Sequence, residues 1–206
     1  MKSYNTFIFD AIPLWDEVPV AKLSSFHWES ENPYRPDSYA KLCAVKNVGF
    51  VARLWSYESS PRAVLINRDE PIYQDSCLEL FLKPVVNSSE YINIECNSNG
   101  VFLSQFGDKR NDRLFIKDVT DISPSVKPWV PENGSQDAWG VEIIVPNELV
   151  SILYKVKYKL FPCEIKGNFY KCGDLTETPH YSAFFPVDTI ELGFHNPERF
   201  GSIKLK

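Results

Sequence analysis

The 206-residue sequence predicts an all-β fold, a two-sheet antiparallel β-sandwich with jelly-roll or immunoglobulin-like layering and one short helix. Three observations carry that expectation. From Ala40 onward the apolar residues alternate or run in short blocks separated by turn residues, the pattern of successive strands. Aromatic residues, which favour strands, make up 14% of the chain, while methionine occurs once, at Met1. Only one segment carries the signals of a helix start. Two sheets packed face to face around a shared core accommodate such a pattern.

The elements follow in order. Residues 1–37 read as an N-terminal extension packing on a single domain of residues 1–206. Strands are expected at 40–46, 49–57, 62–66, 76–83, 90–97, 100–106, 113–118, 138–145, 156–166 and 201–206. In 49–57, Phe50, Ala52 and Leu54 share one face, and Val51, Arg53, Trp55 and Tyr57 the other, because successive side chains point to opposite sides. In 90–97 the separation is cleaner, with Ile92, Ile94 and Cys96 opposite Tyr91, Asn93, Glu95 and Asn97. Asn99-Gly100 then makes a hairpin signal, since a type I′ turn needs positive φ at both central residues. Residues 121–137, with three prolines and Gly134, read as a long surface connection. After the strand at 138–145, the stretch from Pro146 to Leu153 opens with a proline tolerated in a first helical turn and continues with helix formers. Beyond Lys159, Phe161, Cys163, Ile165 and Phe169 share one parity, and Glu164, Lys166, Asn168 and Tyr170 the other.

Composition excludes several classes. A net charge of −5 and a pI near 5.3 leave no basic stripe for nucleic acid. A chain 44% hydrophobic and 24% charged is not disordered, and it contains no apolar run approaching the ~20 residues a membrane-spanning helix requires. The apolar run Phe7–Phe9 is too short for a signal-peptide core, so the chain reads as cytoplasmic, or as extracellular if it is a piece of a longer exported protein. Cys43, Cys77, Cys96, Cys163 and Cys172 form an odd set without a C-x-x-C pair, which suits reduced structural thiols rather than disulfides or a zinc site. Asn87-Ser88-Ser89 and Asn133-Gly134-Ser135 match the glycosylation sequon, a coincidence in an unexported chain.

The second parity sets carry the chemistry. Carboxylates, amides and an ammonium beside aromatic rings suit a polyhydroxylated ligand, whose hydroxyls donate and accept while its C–H faces lie on flat rings. Against this stands the ordinary solvated face of an antiparallel sheet, which needs no ligand.

Gln74-Asp75-Ser76-x-x-Glu79-x-Phe81, then Ile94-Glu95-Cys96-Asn97, Trp139 to Val145 and the closing Phe194 to Leu205 occur in an order that resembles family 9 carbohydrate-binding modules and their wider DOMON-like relatives. The resemblance runs from about residue 38 to the C-terminus. It implies a non-catalytic β-sandwich that holds a mono- or oligosaccharide between two tryptophans, with Glu79 and Asn97 at the positions of ligand-bonding residues. The sequence departs from that pattern at three places. Ile72, with Tyr73 beside it, stands where the first tryptophan belongs, Phe194 where the second does, and Glu95 where the family has an arginine. The clamp is therefore either rebuilt from Tyr73 and Phe194 or lost. The candidate contact set is Trp55, Tyr73, Glu79, Glu95, Asn97, Asn168, Tyr170, Lys171, Phe194 and His195.

Other readings compete. Glu79 and Glu95 could form the carboxylate pair of a glycoside hydrolase, although a flat sheet face seldom buries an acid enough to raise its pKa. A haem, as in some DOMON-like proteins, would draw its ligands from His27, His180 and His195, with no methionine beyond Met1. No cofactor is expected, with structural calcium left open by Asp69, Glu70, Asp75 and Asp108 near loops. Neither nucleic acid nor membrane is an expected partner, and the oligomeric state is undetermined.

Overall fold

A computed structural model describes residues 2–31, 33–131 and 137–206. Its strands are β1 (Ser3–Thr6), β2 (Ile8–Phe9), β3 (Val20–Lys22), β4 (Ser25–Phe26), β5 (Ser38–Val45), β6 (Gly49–Tyr57), β7 (Cys77–Lys83), β8 (Tyr91–Asn97), β9 (Phe102–Gly107), β10 (Leu114–Phe115), β11 (Ser125–Trp129) and β12 (Ala138–Pro146). The helix α1 (Asn147–Leu153) follows, then β13 (Cys163–Gly173), β14 (His180–Ala183) and β15 (Gly201–Leu205). Nine strands form one sheet, in the order β1-β15-β13-β7-β8-β9-β10, with β14 paired to the far half of β13 and to β4. Six form the other, β11-β12-β6-β5-β2, with β3 also on β5. The fold is the expected two-layer sandwich.

Alternation explains the core. Leu78, Leu80 and Leu82 of β7 and Ile92, Ile94 and Cys96 of β8 point inward and meet Ala40, Leu42 and Ala44 of β5, Phe50, Ala52 and Leu54 of β6, and Val141, Ile143 and Val145 of β12. Each of these side chains is buried, and burying a branched aliphatic side chain contributes about 1.5–3 kcal/mol. Among the described residues, no helix is long and apolar enough to cross a membrane.

Several local expectations need correction. Residues 62–66 form no strand, and the Val64 and Leu65 amides donate to the Asp75 carboxylate instead, at 3.2 and 3.0 Å. Only Leu114–Phe115 of 113–118 is strand, and a 3₁₀ turn follows it. The strand expected at 156–166 begins at Cys163 and runs to Gly173, leaving Phe161 61% exposed outside the core. The surface connection at 121–137 contains β11, which pairs along β12. Its sequon at Asn133-Gly134-Ser135 lies outside the described residues. The β8–β9 turn is not type I′. Gly100 alone has positive φ (+76°), and the Gly100 amide bonds the Asn97 carbonyl while the Asn97 amide bonds that of Val101. That is a type I turn closed by a glycine bulge.

The N-terminal segment joins both layers. β1 lies parallel to β15 in the nine-stranded sheet, whereas β2 and β3 flank β5 in the other. The Tyr4 hydroxyl accepts from the Leu42 amide at 2.9 Å, tying the two layers together.

Candidate functional site

The central part of the outer face of the nine-stranded sheet is covered, while its β13–β15 end, with Glu164 and Lys166, is exposed. Side chains projecting outward from β7, β8 and β13, including Phe81, Tyr91, Tyr170 and Cys172, are covered by Phe194 and Phe200 of the segment leading into β15 and by Ile72 of a 3₁₀ turn. Beside this second apolar cluster opens a cleft of about 420 Å³, a volume that accepts a small ligand. Glu79, Glu95, Leu103, Gln105 and Cys172 form its floor, and Trp28, Tyr73, Phe115, Tyr181, Phe194 and His195 its walls, with Arg110, Asp69 and Asp174 at the margin.

Register places the two acids side by side. Glu79 of β7 and Glu95 of β8 are direct cross-strand partners, and their parity sends both outward into the covered face. They are only 3% and 2% exposed. Glu79 Oε1 accepts from the Cys172 thiol at 2.9 Å. Burial, reinforced by Cys172 and the neighbouring Glu95, pushes the Glu79 carboxyl well above the usual carboxylate range. Protonated, it can donate a hydrogen bond as well as accept one.

Glu95 is held by a relay. Arg113 Nε donates to Asn93 Oδ1 at 3.1 Å, which turns the Asn93 amide so that Nδ2 donates to Glu95 Oε1 at 2.7 Å. His195 Nε2 lies 3.7 Å from that oxygen, and its Nδ1 is 2.8 Å from the Tyr91 hydroxyl. Glu95 Oε2 is buried without a hydrogen-bond partner. A buried carboxylate oxygen without a partner retains an unmet capacity to accept a hydrogen bond.

The walls are positioned by specific constraints. Trp28 has φ of +49°, a left-handed conformation that costs a bulky residue energy. Its indole donates to the Thr189 carbonyl at 3.1 Å, and its ring meets those of Tyr181 and Phe194 at 5.6 and 5.5 Å. Gly193 has φ of +143°, and a Cβ there would stand 2.7 Å from the Arg110 guanidinium. That guanidinium donates to the Leu192 carbonyl at 2.7 Å and so holds the same loop. Burial raises the Asp174 carboxyl and the Tyr181 hydroxyl above their ordinary ranges.

Of the residues expected from sequence, Tyr73, Glu79, Glu95, Phe194 and His195 line the cleft. The two proposed clamp rings differ. Tyr73 is 40% exposed, whereas Phe194 is 5% exposed, with one face stacked 4.1 Å from Tyr170. Tyr170 itself is fully buried behind Phe194.

Four residues are placed elsewhere. Asn97 is used by the turn: its Oδ1 accepts from the Asn99 and Val101 amides, and its Nδ2 donates to Asp75 and to the Leu65 carbonyl. Asn168 fastens the 184–187 segment by exchanging hydrogen bonds with both backbone groups of Phe185, each at 2.9 Å. Lys171 has the parity of Phe169 and points between the sheets, where its ammonium lies 3.2 Å from Glu58. Trp55 belongs to the other sheet and is packed against Tyr39 and Trp129 on its outer face.

Three of the four acids considered for calcium are engaged separately. Asp69 faces Arg68, Lys117 and the Ser104 amide, Glu70 accepts from the Ile66 and Asn67 amides, and Asp75 accepts from Val64, Leu65 and Asn97. The histidines are dispersed as well: His27 Nε2 accepts from the Val187 amide, His180 contacts Lys171, and His195 alone lines the cleft.

Sequence reasoning missed Trp28, Gln105, Arg110, Phe115 and Tyr181. Gln105 was accessible through the parity of its strand. Trp28 and Arg110 lie in irregular segments with no periodicity to read.

The profile described as carbohydrate-binding family 9 matches residues 10–205. No curated protein sequence matches the chain. A proposed carbohydrate-binding protein from Bacteroides uniformis superposes with a TM-score of 0.80 at 24% identity, covering 100% of this chain and 99% of its own. A family 9 carbohydrate-binding module from Caldicellulosiruptor kristjanssonii, solved with cellotriose, superposes with a TM-score of 0.63 at 17% identity, covering 98% of this chain and 93% of its own. At these identities the two structures share the fold.

Proposed function

The chain belongs to carbohydrate-binding family 9, and from that premise we propose that the cleft over β7, β8 and β9 seats a neutral mono- or oligosaccharide without turning it over. The observation that carries this is the pairing of Glu79 and Glu95 on one floor beneath aromatic walls. A protonated Glu79 supplies a donor and the free Glu95 Oε2 an acceptor. Sugar hydroxyls can match both. Trp28, Tyr73 and Tyr181 offer ring surface for the C–H faces. Even with Glu79 neutral, the acids Asp69, Glu95 and Asp174 outnumber Arg110 at the cleft, which disfavours an anionic sugar.

A few net hydrogen bonds of about 0.5–1.5 kcal/mol each, together with stacking, correspond to roughly millimolar to micromolar affinity. Titration calorimetry with cellotriose, which the Caldicellulosiruptor relative was solved with, and a panel of other oligosaccharides tests the proposal. One site per chain is expected, weakened at least about tenfold by Trp28→Ala. Folded protein that binds no sugar in the panel overturns it. Family membership also favours the alternative of a module within a longer exported protein over the cytoplasmic reading of the N-terminus.

One observation favours a second reading. The loops that cover this face bury Glu79 and raise its pKa, as a general acid requires, so the flat-sheet objection to a hydrolase does not apply. Turnover of aryl glycosides that disappears in Glu79→Gln would establish hydrolysis in place of simple binding.

A further inference from the structure

At the β13 end of the cleft floor, Cys77 and Cys172 are direct cross-strand partners on β7 and β13, and Glu79 is two residues along β7 on the same face. One ligand atom from each of the three lies within 4.8 Å of the other two. All three side chains are buried, and Glu79 and Cys172 also line the cleft. Among the described residues no lysine, arginine or histidine forms an ion pair with Glu79, although Glu95 adjoins it with an unpartnered, buried Oε2. Two thiols and two carboxyls are thus enclosed together with no cation in contact with Glu79. An enclosed set of that kind is stabilised by protons or by a positive ion.

We propose that Cys77, Cys172 and Glu79 form a three-ligand site for a thiophilic divalent cation, zinc by ligand type, whose fourth position opens into the cleft. Two sulfurs and a carboxylate oxygen suit zinc, whereas calcium and magnesium take oxygen ligands only. Tetrahedral Zn–S bonds of about 2.3 Å put ligand sulfurs about 3.8 Å apart, so small side-chain rotations close the observed spacing. Binding displaces the two thiol protons and the Glu79 carboxyl proton, all of which pass to solvent, and leaves both sulfurs as thiolates and Glu79 as a carboxylate. The ligands come from neighbouring strands, which is why a search for C-x-x-C spacing finds nothing. A water or a sugar hydroxyl fits the remaining position.

The proposal shares Glu79 with the carbohydrate reading, in which that carboxyl donates to sugar in the metal-free protein, but metal binding is measured without sugar, so the two readings fail separately. Fully reduced protein is loaded with zinc and passed through gel filtration, and a parallel sample is titrated with cobalt(II). The expected results are one zinc retained per chain, and for cobalt the visible bands of a tetrahedral thiolate site. Cys77→Ser and Cys172→Ser should each weaken metal binding by more than about 100-fold, since even outer partners of a metal ligand contribute 10–100-fold. Cys43→Ser, on the other sheet, should leave it unchanged. Wild-type protein that is folded and reduced but retains no zinc overturns the proposal, whatever the variants do. Equal retention by a folded Cys77→Ser/Cys172→Ser double variant also overturns it, as does a Cys77–Cys172 disulfide forming in protein that, once reduced, binds no metal.

Discussion

Replacing Lys171 by methionine separates a structural role from a ligand role. Its ammonium is fully buried between the sheets, 3.2 Å from Glu58 Oε2, 3.0 Å from the Cys172 carbonyl and 2.6 Å from His180 Nε2. Burial pushes the Glu58 carboxyl up, but Lys171 and the Ser76 hydroxyl outweigh it and hold the group below the usual carboxylate range. Lys171→Met preserves volume and leaves Glu58 as a buried, unpaired charge, a change that costs about 3–5 kcal/mol. Glu58 keeps hydrogen bonds from Ser76 at 2.8 Å and from the Trp139 indole at 3.0 Å, which places the loss near the lower end, about 3 kcal/mol. For a chain of this size that is a fall in Tm of about 6–12 °C. Adding Glu58→Gln should restore at least about 1 kcal/mol, because the two residues are coupled. Urea and thermal melts measure both changes, and calorimetry on the folded variant should find sugar affinity within about twofold of wild type. A destabilisation under about 1 kcal/mol, or a selective loss of sugar affinity in a fully folded Lys171→Met variant, refutes this assignment.

The remaining predictions concern groups around the cleft. Asn168→Ala strips the Phe185 amide and carbonyl of their partner, and should cost about 2–4 kcal/mol in denaturant melts while sugar affinity stays near wild type. Glu79→Gln imitates a protonated acid, so sugar affinity should stay within about fivefold, and a loss beyond about 100-fold would mean that Glu79 binds as a carboxylate. Burial, and then the neighbouring Lys171, lower the His180 pKa to about 4, while its Nδ1 donates to the Thr178 carbonyl and Glu58 and the Tyr34 ring also face it. The unfolded chain takes up that proton near pH 6.5 and the folded chain only near 4, so stability is fully present above 6.5 and declines as pH falls towards 4. Between pH 7 and 5 this contributes a loss of about 2 kcal/mol, measurable as a steeper pH dependence in wild type than in His180→Gln.

Much of the fold was legible because alternation is local. β6 is bounded at the expected residues, and the inward parity of β7 and β8 follows directly from their apolar positions. Less legible were elements formed by long-range pairing. β11 and β14 gain their strand character from β12 and β13, across connections whose composition signals only irregular chain. Lys171 shows the same limit in the site. The Asn168-Phe169-Tyr170-Lys171 run looks like one polar-aromatic patch, yet parity sends Lys171 inward, and only the arrival of Glu58 from the facing sheet makes that burial tolerable. The distinction between Asn97 and Glu95 was equally hidden, since both point outward from β8, and the partner that occupies Asn97 comes from the 63–75 loop.

That distinction explains how the site arises. An open antiparallel face satisfies its polar groups with water, but here loops exclude the water, and each buried polar atom then needs a protein partner. Asn93 is taken up between Arg113 and Glu95, Asn97 by the hairpin turn and Asp75, and Asn168 by Phe185. Once those pairings are made, Glu95 Oε2 and the Tyr170 hydroxyl remain without partners on the covered face, and Glu95 stands beside Glu79, aligned with it across β7 and β8. The amides that sequence reasoning grouped with these acids serve to hold the cover in place, and the cover in turn buries the acids. Loosening the cover should therefore weaken binding even where no contact residue changes. Gly193→Ala, which would push a methyl group into the Arg110 guanidinium and strain a positive φ, should lower sugar affinity at least about fivefold in titration calorimetry. Unchanged affinity in that folded variant would mean that the 192–195 wall takes no part in forming the site.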